Sequence, residues 1–498
     1  MRHLLILVLS LSASSLFAQM VPCEGGFAGI YPCDKIDLMN FMPTSTLGSG
    51  AGQNDIWGWT DPVDGHEYAL VGKRDGTAFV DVTDPVAPVL MGFLPSTSSG
   101  ENTWRDIKVY ADHAFIVSEA FQHGMQIFDL NQLRDIVLPP VTLSESAHYS
   151  GFSNCHNLAI NEQTGYAYPI GTNLFSGGPH FINIQDPLNP VLEGSFSDEG
   201  YSHDAEVVNY IGPDPDYQGR EIYVGYHGSN AEGLVIVDVT DKTDPMFVSR
   251  TGYDCQDYSH QGWMTPDHRF ALLGDELDEG AFGYNTRTRV FDIQDLDNPV
   301  LIGNYVSSVS STDHNVYTKG DHAYMSNYTG GLRVIDISAL DEVLASEVAY
   351  FDVHPSDNNA GYNGTWSNYP YFESGTIVVT HRNDGLFILK MQDLQGATAV
   401  DSLDVTLCPA AQSVEEYDQV LFNLSPNPSQ DFMNIKLDGD IQLRTVEILD
   451  VTGRTVAERV YNQNGIRSIR LDVSTLEKGM YLIRMNQMES QTRMFVKE

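Results

Sequence analysis

Four short stretches, far apart in the chain, share one opening: NCHNLAI at 154–160, SHDAEVV at 202–208, SHQGWMT at 259–265 and DHNVYTK at 313–319. Each sets a histidine before Asn, Asp or Gln and then a run that leans apolar. Imidazoles beside carboxylates suit a transition metal such as zinc, which takes about four ligands at close range. Carboxylates and amide carbonyls alone suit calcium. The histidines stand 47 to 57 residues apart, so none pairs with another along a helix, and any shared site has to be assembled by the fold.

The flanking sequence supplies that fold. Seven strand-like runs end near an acidic residue, among them TAFVDVTDP, LVIVDVTDKTDP and RVFDIQDLDNP. They alternate apolar and polar positions, are rich in Val, Ile and Phe, and several close on Asp-Pro or Asn-Pro turns. Seven openers precede them, and seven second strands lie between. A fourth strand follows several of the closers, as in VLMGFLP and VLIGNYV. Four short strands per unit, repeated seven times with no helical period, predict an all-β chain whose body, residues 36–395, is a seven-bladed β-propeller. The seventh unit lacks its last strand. IDLMNFMPTST at 36–46 looks like the fourth strand of the first unit, so the N-terminal strand is expected to complete the seventh and remove an open edge.

Aligned openers give two columns. The first is Asn54, Arg105, His156, His203, His260, His314 and Asn363; the second is Asp55, Asp106, Asn157, Asp204, Gln261, Asn315 and Gly364. In a propeller the first strand of each blade lines the channel, so both columns are expected to ring one mouth. Loops on the same face bring Glu119, His123, His227, Glu232, Glu276, His381 and Asp384. Convergent polar groups in a concavity are a binding site. The expected ligand-binding set is Asp55, Arg105, Asp106, His156, His203, Asp204, His260, His314, His227 and Glu276. The four column histidines are candidate metal ligands, for zinc or calcium. The competing reading is structural: each histidine bonds the backbone of the neighbouring unit and fixes register. The acidic run DELDE at 275–279 reads as a solvated loop or, failing that, a calcium loop, though it lacks the Asp-x-Asp-x-Asp-Gly pattern. Trp57, Trp263 and Trp366 align, and packing between units is favoured over sugar stacking.

The chain has 498 residues and a formal net charge of −40, which repels a phosphate backbone and excludes nucleic acid as a partner. Arg2 and His3, an apolar run and small residues up to Ala18 read as a secretory signal peptide over 1–18, too short to span a membrane; no later stretch is a transmembrane segment. Of five cysteines, Cys23 and Cys33 bracket the Gly-rich loop of residues 19–35 and are expected to pair; Cys155 with Cys255 is a weaker pairing, which leaves Cys408 over. Residues 396–420 read as a linker. Residues 421–498, with alternating strands and turn signals at Gly453, Asn464-Gly465 and Gly479, read as a small C-terminal β-sandwich.

GLVIVDVTD and its sister runs resemble the LVIVD repeat family. NDIWGWTDP, WRDIKVYADHAFIVSEAFQHGMQIFDL, YSHQGWMTPDHRF and DELDE resemble the choice-of-anchor B proteins over roughly residues 21–395. That resemblance implies a secreted or surface propeller and brings no established activity. LSPNPSQDFMNIKL, RTVEILDVTGRTV and LEKGMYLIRM are similar, in order, to the type A sorting domain of the type IX secretion system. This implies the type IX machinery as partner, an extracellular or outer-membrane location, and a body linked to surface lipopolysaccharide or released. No His-Glu-x-x-His, Gly-x-Ser-x-Gly, phosphate loop or dinucleotide fingerprint occurs. The leading reading is binding of a small molecule, glycan or protein at the channel mouth. The alternative is a metal-dependent lactonase- or esterase-like hydrolase on the His/Asp ring, and the third a purely structural surface protein.

Overall fold

Alternating apolar residues and frequent turn residues give this chain strands throughout. The computed structural model describes residues 20–228, 233–394, 399–405, 422–425, 429–450, 454–476, 478–485 and 492–497. The predicted signal peptide, Glu232, Cys408 and most of the predicted linker lie outside them. The chain divides into two compact units, residues 1–406 and 407–498.

The described residues of the first unit form seven sheets, each starting from one opener strand and antiparallel save where Val141–Thr142 pairs parallel with Val89–Pro95 at the edge of the first. In chain order these inner strands are Gln53–Thr60, Arg105–Tyr110, Asn157–Asn161, Asp204–Asn209, Ser259–Met264, Asn315–Lys319 and Thr365–Tyr369. Each packs against the next, and the last packs against the first. Apolar residues of neighbouring sheets fill the seams, as where Phe79 of the first sheet meets Phe128 of the second with ring centroids 4.8 Å apart. At the seam between the first and seventh sheets a Cβ on Gly58 would run into the Tyr369 ring. Gly58→Ala is therefore expected to destabilise this unit by about 1–3 kcal/mol through overpacking. A urea midpoint equal to that of the parent chain would contradict the close approach.

Strand Ile36–Pro43 pairs antiparallel with Gly385–Met391 and supplies the fourth strand of the seventh sheet, as the repeat predicts. Cys23 and Cys33 form the expected disulfide. The stretch expected as a loop at 19–35 is partly strand: Phe27–Ala28 and Tyr31–Asp34 form a hairpin, and Cys33 pairs with Phe351 at the outer edge of the sixth sheet. A weaker expectation fails. Cys155 is a buried free thiol, and Cys255 is disulfide-bonded elsewhere, so the two do not bridge. In the second sheet the fourth strand is Ala147–Tyr149, only three residues long. Residues 399–405, expected as linker, lie on the body: Leu403 is buried, its N–H donates to Val343 O, and Asp404 exchanges backbone hydrogen bonds with Asn304.

In the second unit the described residues form one five-stranded sheet instead of the expected sandwich. Its two long strands, Phe432–Asp450 and Thr455–Asp472, pair with four register shifts. Asn464-Gly465, expected as a turn, falls inside the second of them at such a shift. Met433, Ile435, Ile448, Ile483 and Phe495 lie in its apolar core.

Candidate functional site

The inner strands all start on one face, so their first residues meet there. His203 and His260 have ring centroids 4.1 Å apart, His156 and His203 4.2 Å, and His260 and His314 4.5 Å. These four, with Asp55, Arg105, Asp106, Asp204 and Glu276, line one cavity of about 50 Å³. Nine of the ten expected ligand-binding residues thus come together. The tenth, His227, does not: it is buried apart, its Nδ1 3.2 Å from Glu199 O.

The register role expected of the histidines is present in full for three of them. His203 Nδ1 lies 2.8 Å from His260 O, His260 Nδ1 3.1 Å from His314 O, and His314 Nδ1 2.5 Å from Trp366 O. A carbonyl only accepts, so each Nδ1 carries the proton and each Nε2 keeps its lone pair. Burial lowers the pKa of all three, which holds them neutral. His156 instead places Nδ1 2.6 Å from Glu119 Oε1. The same imidazoles therefore tie one strand to the next and aim a free nitrogen at the cavity.

Glu276 reaches this ring from the loop after strand Phe270–Asp275. Its carboxylate oxygens lie 3.7 Å from His260 Nε2 and 3.9 Å from His314 Nε2, and Tyr328 Oη donates to it at 2.8 Å. One ligand atom from each of His260, Glu276 and His314 falls within 4.8 Å of the others. Donors sharing one four-coordinate ion at about 2.0–2.1 Å stand about 3.4 Å apart, so the two histidine–glutamate distances lie a few tenths of an ångström above that spacing. The carbonyls on Nδ1 fix ring orientation in the manner typical of metal-binding histidines.

The second column sits one residue deeper and bonds across the seams. Asp106 Oδ2 accepts from Leu158 N at 2.6 Å, Asn157 donates to His203 O at 2.9 Å, and Gln261 accepts from Val316 N at 2.7 Å. Lys108 Nζ stands 2.7 Å from Asp106 and 3.9 Å from Asp55, with the Trp57 ring 4.5 Å away. Burial and the Asp106 charge push Asp55 well up, whereas at Asp106 burial is outweighed by the Lys108 charge and the hydrogen bonds from Asp55, Lys108 and Leu158 N taken together, and the carboxyl is pulled down. Arg105 is buried and bonds Lys73 O and His123, with one guanidinium nitrogen left unpartnered.

The seventh member of each column is corrected. Thr365 pairs with His381 and Ser367 with Thr380 across a bulge, as Ser259 pairs with Asp275 and Gln261 with Gly274. Trp366 therefore holds the place of His260, and Ser367 that of Gln261, instead of Asn363 and Gly364. By the same register Tyr369, not Trp366, matches Trp57 and Trp263. These rings pack edge to face around Tyr317, with centroids 5.8 Å from Trp57 and 5.0 Å from Trp263, as the packing reading expects. They border a wider cavity of about 650 Å³ at the other ends of the inner strands, with Glu206 on its wall.

DELDE is not solvated. Asp275, Asp278 and Glu279 are buried, the last two on the short helix Asp278–Phe282, and Asp278 pairs with Arg289 at 2.7 Å. Burial, then the Asp278 charge, push the Glu279 carboxyl up to about 9, and burial pushes Asp278 up to about 6. The sequence carried no signal for Asp313, which the fold sets against this helix.

Residues 223–252 and 313–342 each match the LVIVD repeat, and residues 423–498 match the secretion system C-terminal sorting domain. The two repeat matches fall on the second to fourth strands of the fourth sheet and on the sixth sheet. No curated protein matches the chain. The chain thus carries LVIVD repeats and a type IX sorting tail, and the tail marks it for export to the cell surface or outer membrane. No helix among the described residues is long and apolar enough to cross a membrane.

Proposed function

We propose that the exported body, residues 36–395, is a seven-bladed β-propeller of the choice-of-anchor B kind whose channel mouth binds a transition metal, zinc foremost. His260, His314 and Glu276 hold the ion, and its open position takes a small ligand outside the cell. The observation that carries this is the convergence of two neutral imidazole Nε2 atoms and a carboxylate, with both Nδ1 protons already committed to neighbouring strands. Three protein donors leave a fourth tetrahedral position open. His203 flanks the ion, and the spare guanidinium nitrogen of Arg105 suits an anionic end on the ligand.

Size favours binding over hydrolysis. A space of about 50 Å³ takes an ion with a water or two, whereas pockets for organic ligands run about 300–1,000 Å³. A sugar reaches only the rim, where Trp104 is 44 % exposed. The hydrolase remains the second reading, because two histidines and a glutamate are also the donor set of metal-water hydrolases. Export through the type IX machinery then leaves the body either linked to surface lipopolysaccharide or released.

Elemental analysis of the purified chain, reconstituted with zinc and dialysed against a weak chelator, tests the site. About one zinc per chain is expected, falling at least tenfold in the His260→Ala, His314→Ala double variant. A zinc-free parent chain, or a variant that keeps its zinc, overturns the proposal. Hydrolysis of lactones or aryl esters, abolished in that variant, would move the assignment to the hydrolase.

A further inference from the structure

Behind the mouth, three buried carboxylates meet with too few partners. Asp278 is 0 % exposed, Glu279 2 % and Asp313 2 %. The first two come from the helix Asp278–Phe282 of the fifth sheet, and Asp313 from the lead-in to the sixth inner strand. One ligand oxygen from each lies within 4.8 Å of the others. Arg289 engages Asp278 Oδ2. Of the remaining five oxygens, Asp278 Oδ1 and both of Asp313 are buried without a hydrogen-bond partner, and the two of Glu279 have at most long contacts with the backbone N–H groups of Glu279 and Asp313. Buried polar atoms are seldom left so, and five so poorly partnered at one point need a common explanation.

We propose that Asp278, Glu279 and Asp313 form a calcium site that joins the fifth sheet to the sixth. All donors are carboxylate oxygens, which select a hard cation over zinc. Two oxygens bound to one calcium at about 2.4 Å stand at most about 4.8 Å apart, and one oxygen from each of these three residues falls within that limit. Three carboxylates against one guanidinium leave a formal charge of −2, which one divalent ion cancels. Five oxygens approach the six to eight that calcium takes, whereas magnesium keeps several waters that a buried carboxylate cluster does not suit. The helix follows directly on Glu276, so the ion braces the loop that delivers that residue. The inference stands whether or not the mouth holds zinc.

The test uses the full chain, stripped with a calcium chelator and titrated with calcium chloride by calorimetry at about 0.15 M salt, where diffuse surface binding is screened. One calcium per chain is expected, together with a raised unfolding temperature. Glu279→Gln and Asp313→Asn, close in shape to the parent residues, should each weaken calcium binding at least tenfold, while His260→Ala leaves it unchanged. If either variant fails to fold, the other carries the comparison. No calcium uptake by the stripped parent chain overturns the site, as does weak multiple uptake that both variants retain.

Discussion

Replacing Lys108 with methionine is expected to destabilise the body by about 3–5 kcal/mol, the cost of leaving a buried carboxylate without its cation. Asp106 Oδ1 accepts from the Lys108 ammonium at 2.7 Å and from Ile107 N at 2.9 Å, and its Oδ2 accepts from Leu158 N. Asp55 and Asp204 lie near enough for their charges to favour the protonated amine, and with Asp106 they overcome burial to raise its pKa. Methionine keeps the length and the contact with Trp57 but leaves Asp106 facing Asp55 alone. Asp106→Asn added to Lys108→Met should restore much of the loss, since the residues act as one unit. The check is the urea midpoint of the single and double variants. A Lys108→Met midpoint within error of the parent would show that the cation is not what allows Asp55, Asp106 and Asp204 to line one cavity.

Glu206→Gln is expected to stabilise the body at alkaline pH. Burial holds the Glu206 carboxyl up to about 8, opposed in part by Met264 N, which donates to it at 2.8 Å. The folded pKa lies above the unfolded value near 4.5. The fold therefore keeps a proton that the unfolded chain has released, and the associated stability is full below pH 4.5 and lost as pH rises to about 8. Glutamine keeps an acceptor for Met264 N and has no charge to bury. Allowing for partial exposure, the variant should exceed the parent by about 2–4 kcal/mol at alkaline pH and match it in acid. Paired urea unfolding on either side of the transition measures the gap. A gap of equal size on both sides would place the cause in packing, not ionisation.

The repeat was legible because strands have a period of two and their turns punctuate it. Seven sheets, the pairing of Ile36–Pro43 with Gly385–Met391 and the meeting of His156, His203, His260 and His314 follow from that pattern. Residue types alone do not mark a bulge. The slip of three positions to Trp366 arises because Asn363-Gly364 imitates the Asn and Asp pairs of other openers, while the true register is set by where Thr365 and Ser367 find partners. Burial of DELDE was hidden for a related reason. Its neighbours Arg289 and Asp313 are distant in sequence and bear no local mark of the contact. Which atom of each histidine bonds the next strand is also a matter of three dimensions, and it decides the chemistry: with Nδ1 occupied, only Nε2 is left for a ligand.

The run from Ala399 to Val405 belongs to the body and not to the tail that follows it. Ala345 N and Asn304 N donate to Asp401 O and Asp404 O, so this strap covers backbone at the rims of the fifth and sixth sheets. A cut C-terminal to Val405 leaves this strap on the body. Scission before Ala399 strips it, baring the outer strand Val300–Val306 and inviting copies to stack edge on edge. Any removal of the C-terminal unit is thus expected to spare the outer edge of the fifth sheet only when the cut falls after Val405.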